Sequence, residues 1–264
     1  MVFTKEKKTY FVSDIHLGIP DKEASMQRER LLVMWLDKVK TDADTIYILG
    51  DLFDFWFEYG TVVPKGYTRL LGKIAEITDG GITVNFLKGN HDIWDFGYFA
   101  NELGMNVFDG VLETEMNGKT FIIGHGDGLG PGDKGFKFIK RVFSNRINQR
   151  LFAILHPTIG AWLAGLFSKK SRKKNAPNDL NYSGPENERL YRFCKQKLKE
   201  KHTDFFVLGH RHIPLDLELA NGSRYISVGD WVTNFTYAVF DGKNVELRKF
   251  LKPTERQGFS GHEG

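Results

Sequence analysis

Six short runs of β-branched and aromatic residues in this chain each stop at a polar cluster: TYFVSDIH, TIYILGDLFD, TVNFLKGNHD, TFIIGHGD, FFVLGHRH and YISVGDW. Such runs read as strands, and near-continuous apolar strands are those buried on both faces. Between them lie stretches with apolar residues three and four apart, notably SMQRERLLVMWLDKVK and GPENERLYRFCKQKLKE, which read as helices laid on a sheet. Strands and helices in alternation specify an α/β fold, in which ligands collect beyond the carboxyl ends of the strands. Every polar cluster sits at such an end.

The 264 residues suit one large domain. Near the end, TYAVFDGKNVELRKF reads as a hairpin around Asp241-Gly242-Lys243-Asn244, which makes the sheet mixed. We read residues 1–252 as the domain and 253–264 as a disordered tail. Residues 134–181 read as an inserted helical cap, with Phe136, Ile139, Phe143, Ile147, Leu151 and Leu155 at helical intervals, broken into a helical pair at His156-Pro157. No apolar run of membrane-spanning length and no secretory leader is visible, which predicts a cytoplasmic protein. Cys194 is the only cysteine, so no internal disulfide forms, and its helical setting suggests a packed thiol.

The formal charge of +4 hides a division. Residues 134–178 hold eleven Lys or Arg and no acid, leaving 26 basic against 33 acidic residues elsewhere. An apolar, acid-free basic segment is suited to phosphate or an anionic membrane, the plainer alternative being a solvated basic helix.

The strand ends supply Asp14 and His16, Asp51, Asn90 with His91, His125, and His210 with His212. The x-spacing in Asp14-Ile15-His16 and His210-Arg211-His212 puts both side chains of each pair on one face of an extended segment. Imidazole with carboxylate suits manganese, iron or zinc, and the lack of thiolate argues against a structural zinc. One ion takes roughly four to six donors, so this set with water serves two ions if one carboxylate bridges them. Asp51 is the bridging candidate. Gly50, Gly89, Gly124 and Gly209 beside the donors let the backbone approach closely. A lone D-x-H or H-x-H would more often be a satisfied core group; five clusters in this order are not so explained.

This order of D-x-H, G-D-x-x-D, G-N-H-D, G-H-G-D and G-H-x-H resembles the calcineurin-like metallophosphoesterase family from Phe11 to about Asp241. The resemblance implies a sandwich of two mixed β-sheets flanked by helices. It assigns Asp14, His16, Asp51 and His212 to one metal, and Asp51, Asn90, His125 and His210 to the other. Two adjacent cations lower the pKa of a bridging water, so that hydroxide can attack phosphorus in line. His91 would protonate the leaving group or stabilise transition-state charge, oriented by Asp54.

Within that family, SDIHLG, GDLFDFWFEY, GHGDGLGPGDKGF, LFSKKSRKKN and VGDW are similar to the branch that acts on a UDP-linked diacylated glucosamine in lipid A synthesis. That similarity implies two Mn2+ ions and release of UMP, and the basic, apolar cap suits peripheral attachment to the cytoplasmic face of the inner membrane better than a nucleic-acid partner. The similarity also implies substrate contacts from Asn90, His91, Asp133, Ser168, Ser171, Arg172, Lys174 and His212. Phe136, Phe138, Phe143, Phe152, Trp162 and Phe167 are candidate groove residues. Two positions depart from the pattern: Arg211, where small residues are usual, and Phe136, where tyrosine is expected. The rival readings are a general phosphodiesterase or phosphatase acting on nucleotides or nucleic acid, and a non-enzymatic scaffold, against which the complete ligand set argues.

Overall fold

Along strand β1 (Lys8–Val12) successive side chains face opposite ways, and both faces are buried: Phe11 on one, Tyr10 and Val12 on the other. That alternation sets up the layers. The computed structural model describes residues 7–179 and 182–251, and for residues 169–179 the backbone alone.

β1 lies between β2 (Ala43–Ile48), parallel to it, and β10 (Thr236–Phe240), antiparallel. With β3 (Thr83–Leu87), β4 (Asn106–Phe108) and β11 (Val245–Lys249) they form a six-stranded mixed sheet of order β11-β10-β1-β2-β3-β4. A second mixed sheet, of order β5-β6-β7-β9-β8, comprises β5 (Val111–Met116), β6 (Lys119–Gly124), β7 (Phe205–Leu208), β8 (Leu215–Glu218) and β9 (Arg224–Ser227). The hairpin joining β10 and β11 closes with the Asp241 amide donating to the Asn244 carbonyl at 3.2 Å.

Phe11, Tyr47, Leu49 and Leu87 of the first sheet meet Phe121, Ile123, Val207 and Ile226 of the second in one apolar layer. On the outer face of the first sheet, Tyr10, Ile46, Ile48 and Phe86 pack under α1 (Lys22–Val39), α2 (Thr68–Asp79) and α3 (Tyr98–Leu103), with Trp35 at the centre. α1 starts where the Asp21 carboxylate accepts from the Ala24 amide at 2.9 Å, an N-cap. The outer face of the second sheet is covered by α7 (Arg189–Glu200), which buries Cys194 against Ile122, Phe206 and Tyr225. The strands β4, β5 and β8 had no counterpart in the sequence reading; β5 alternates half-buried with exposed residues, and the other two are only 3 and 4 residues long.

Between β6 and β7 the structure holds α4 (Lys134–Ser144), α5 (Arg146–Ala153) and α6 (Pro157–Asp179). The expected helical pair is therefore three helices. Asn145 makes the extra break: its backbone is extended, and its side chain accepts from the amides of Ile147 (2.9 Å) and Asn148 (3.3 Å), competing with helix continuation. Neither α4 nor α5 fully buries a residue, so these helices have no core of their own. They dock instead through aromatic rings: Phe152 lies 4.8 Å from Phe57 and 5.0 Å from Trp94, whose indole N–H donates to the Phe143 carbonyl at 2.9 Å. α6 approaches at Gly160, where any Cβ would collide with the Tyr59 hydroxyl. Of fourteen exposed large apolar residues among the described residues, nine lie in 134–168, among them Ile147, Leu151, Ile154 and Trp162. No helix among the described residues is long and apolar enough to cross a membrane. Residues 180–181 and the tail, 253–264, lie outside the described residues.

Candidate metal centre

Five parallel strands deliver their carboxyl ends to one place. β1 runs into Asp14 and His16, β2 into Asp51, β3 into Asn90 and His91, β6 into His125, and β7 into His210 and His212. Asp14, His16, Asp51 and His210 take left-handed φ angles of 54°, 48°, 51° and 66°. Such backbone costs about 1–3 kcal/mol per residue and persists only where its surroundings enforce it. Here the enforcement is visible. Arg28 of α1, buried, donates to the carbonyls of Ile15 (3.0 Å), His16 (2.8 Å) and Ile19 (3.0 Å). Asp92, fully buried, accepts from the amides of Leu52 (2.7 Å), Gly89 (2.9 Å) and Asp51 (3.2 Å), tying the β2 and β3 loops together. Those loops pass so closely that a Cβ on Gly89 would overlap the Asp51 carboxylate.

At the centre, Asp51 Oδ2 lies 3.3 Å from His125 Nε2 and 3.7 Å from His16 Nε2. Asp14 Oδ1 lies 3.4 Å from His212 Nε2 and 3.7 Å from His16 Nε2, and the latter two nitrogens are 3.3 Å apart. Asn90 Oδ1 stands 3.2 Å from His125 Nε2. Two groups able to hold an ion emerge, Asp14–His16–His212 and Asp51–His125–His210, with His16–Asp51–His91 overlapping them. Nitrogen and oxygen donors about 2.0–2.2 Å from one ion stand roughly 3 Å from each other. The spacings fit that requirement, and Asp14 Oδ1 is buried without a hydrogen-bond partner. The residues present therefore fit divalent cations, and Asp51 is common to two of the groups.

The histidines are oriented from behind. His125 Nδ1 donates to the Leu49 carbonyl at 2.7 Å and His91 Nδ1 to the Asp54 carbonyl at 2.8 Å. A carbonyl only accepts, so in the neutral ring each Nε2 keeps its lone pair toward the centre. Asp230 Oδ2 lies 3.6 Å behind His212 Nδ1. Burial pushes the Asp14 carboxyl up, but the imidazoles of His16 and His212 outweigh it and hold the group well below the usual range. Asp51 also falls, because the charges of His125 and His91 outweigh its burial. Burial pushes His16 down, and burial with the charge of His125 takes His210 down to about 4. His125 moves oppositely, the Asp51 carboxylate outweighing desolvation. Burial and the Asp51 charge raise Asp92 to about 7. The lowered Asp14 and Asp51 carboxyls and the lowered His16 and His210 imidazoles are in the protonation states a cation needs, whereas His125 would have to give up its proton to a bound cation.

Beside this cluster opens a cavity of about 400 Å3 whose polar end is Asp54, Asn90, His91 and Ser168. Its walls are Phe55, Ile93 and Trp94 from the core, with Phe136, Ile139, Phe143, Phe152, Leu163 and Phe167 from α4–α6. Four of the six aromatic residues read as groove-forming thus line it; Phe138 and Trp162 do not, and are 65% and 63% exposed. Ser168, buried, hydrogen-bonds the Asp54 carboxylate at 2.9 and 3.1 Å. Asp54 reaches His91 through its carbonyl, while its carboxylate stands 3.7 Å from Nδ1 of both His91 and His16. Asp133 is off the cavity lining: it caps α4, accepting from the Phe136 amide at 3.3 Å, and pairs with Arg189. Arg211 Nε donates to buried Glu188 at 3.0 Å. The side chains of Ser171, Arg172 and Lys174 lie outside the described residues.

Sequence reasoning missed Asp92, Asp127 and Asp230. Each lies within a motif whose other residues drew the attention, GNHD, GHGD and VGDW; the residual signal was an acid at a strand end beside the donors. It missed Phe55 and Trp94 as cavity walls because neither sits in a periodic stretch.

Residues 7–214 match the family described as calcineurin-like phosphoesterase. A UDP-2,3-diacylglucosamine hydrolase of Porphyromonas gingivalis is 39% identical over 252 residues, covering 91% of this chain and 96% of that one. Another of that name, from Shewanella baltica (strain OS195), is 30% identical over 249 residues with the same coverage. Among solved structures, an archaeal phosphodiesterase aligns over 91% of this chain and 98% of its own at 13% identity, with a TM-score of 0.46.

Proposed function

The chain belongs to the calcineurin-like phosphoesterase family, as a metal-dependent phosphoester hydrolase, and on that premise we propose that it cleaves the pyrophosphate of UDP-2,3-diacylglucosamine. The products are UMP and 2,3-diacylglucosamine 1-phosphate. One observation carries the substrate: an apolar cavity of about 400 Å3 ends on Asn90 and His91 at the donor cluster, as an acylated phosphoester requires. Relatives of nearly the same length carry that substrate in their name.

Asp14, His16, Asp51 and His212 would hold one cation, and Asp51, Asn90, His125 and His210 the other, with manganese as the ion in both. When bound, the pair supplies an activated water and screens charge on the phosphoryl oxygens. The protein does the rest. Asn90, at the cavity mouth, fixes the phosphate; His91, its Nδ1–H held by the Asp54 carbonyl, turns Nε2 to the departing oxygen and, when that nitrogen also carries a proton, passes it to the leaving group. Phe55, Phe143, Phe152 and Phe167 take the acyl chains and keep water from the reacting phosphate. The exposed Ile147, Leu151, Ile154 and Trp162, beside lysines and arginines, rest on the cytoplasmic face of the inner membrane, from which substrate is drawn.

The test is incubation with UDP-2,3-diacylglucosamine in detergent plus Mn2+, with UMP followed by chromatography. A chelated sample and Asn90→Ala are the controls, and both should release at least a hundredfold less UMP. Metal-dependent hydrolysis of simple diesters without UMP release would retain the phosphoesterase and remove the lipid substrate.

A further inference from the structure

Among the described residues lining the cavity, Lys140 of α4 is the only lysine or arginine. The inference that follows rests on the pyrophosphate reading above. A pyrophosphate brings two phosphates, and the donor cluster can screen only the one under attack. The other leaves with the sugar toward the acyl chains, hence into a space walled mainly by Phe, Trp, Ile and Leu. A phosphate there without a counter-charge is strongly disfavoured.

Lys140 Nζ lies 2.6 Å from Asp127 Oδ2 and 3.4 Å from the Asp127 carbonyl oxygen. Asp127 is buried, two residues beyond His125, and its Oδ2 has no aligned hydrogen bond, so the contact is ionic and not directional. The lysine stem packs over Gly128, 31% of the side chain is exposed, and a flexible ammonium can change partners without backbone movement. Lys137, three residues before it, is committed to the Gly130 carbonyl at 2.6 Å and stands off the lining. We propose that Lys140 determines specificity for the diphosphate by leaving Asp127 for the sugar-linked phosphate, Asp127 being its resting partner in the free protein.

A purely structural role predicts something different. If the pair only latches α4 to the loop after β6, removing either partner has the same effect. If Lys140 moves to the substrate, Asp127 competes with the phosphate, and the two removals act in opposite directions.

The experiment uses the full chain with Mn2+, and compares Lys140→Met, Lys140→Arg and Asp127→Asn. Kinetics are taken on UDP-2,3-diacylglucosamine and on bis(p-nitrophenyl) phosphate, which has no second phosphate. Lys140→Met should raise KM for the lipid substrate at least tenfold and for the small diester far less, Lys140→Arg should restore KM to within threefold, and Asp127→Asn should lower it. Binding of 2,3-diacylglucosamine 1-phosphate, measured calorimetrically in chelator, should weaken tenfold in Lys140→Met. Equal rises in KM for Lys140→Met and Asp127→Asn would leave only a latch, and an unchanged KM in Lys140→Met would also overturn the proposal. Diester turnover without UMP release by the unaltered protein would remove the pyrophosphate reading, and this inference with it.

Discussion

Asp92 offers the sharpest test of how the donor cluster is held. Replacing it with alanine leaves the amides of Leu52, Gly89 and Asp51, now satisfied at 2.7, 2.9 and 3.2 Å, with no acceptor in a fully buried site. Each of the three stranded donors costs about 1–3 kcal/mol, and relief of repulsion with Asp51 returns part, so the net loss is about 2–6 kcal/mol. Against a typical stability of about 5–15 kcal/mol, that is a large fraction. Asp92→Asn keeps one oxygen for the Gly89 and Asp51 amides but turns an NH2 toward Leu52, so it should cost roughly 1–3 kcal/mol. Urea unfolding in chelator, followed by tryptophan fluorescence, reads the stabilities; Mn2+ titration reads the consequence for Asp51, whose affinity should fall in the same order. If Asp92→Ala lies within about 1 kcal/mol of the unaltered protein, or Asp92→Asn costs more than Asp92→Ala, the loops are not held as argued.

Gly89→Ala should abolish Mn2+ binding in a metal titration, since the new methyl would overlap both the carboxylate and the backbone nitrogen of Asp51 and push that residue out of the donor cluster. Phe152→Ala removes a half-buried ring from Phe57 and Trp94, and should loosen α4–α6 by roughly 2 kcal/mol, seen as faster tryptic cleavage within 134–178 at unchanged cleavage elsewhere. Asp204, half-buried, is partly desolvated, yet the Thr120 amide and hydroxyl (2.9 and 2.8 Å) and Lys119 (3.0 Å) outweigh that and pull its carboxyl down to about 2. A carboxyl depressed on folding stabilises above its ordinary value near 4 and loses that contribution as pH falls toward 2. Asp204→Asn should therefore flatten the fall in melting temperature between pH 4 and 2; an unchanged slope would contradict the assignment.

The fold was legible where its signals are local. TYFVSDIH and FFVLGHRH state in a few residues both a buried strand and the donors beyond its end, because alternation and chain stiffness act over neighbours. The break at Asn145 was less legible: its side-chain cap competes with a helical pattern that continues on both sides, and periodicity does not register such competition. β5 was overlooked because its outer face is solvated and its apolar run is interrupted.

What the sequence determined by itself was the inventory and order of donors, the α/β alternation, and the charge division between 134–178 and the rest. Tertiary structure alone decided how those parts meet. Ser168 reaches Asp54 across 114 residues, Trp94 reaches Phe143 across 49, and Lys140 lands on Asp127 because α4 turns back over the loop after β6. None of these pairings has a periodicity. They follow from cap helices of which α4 and α5 bury no core of their own and must cover their apolar faces on whatever surface the strand ends present, enclosing a cavity with α6 in doing so.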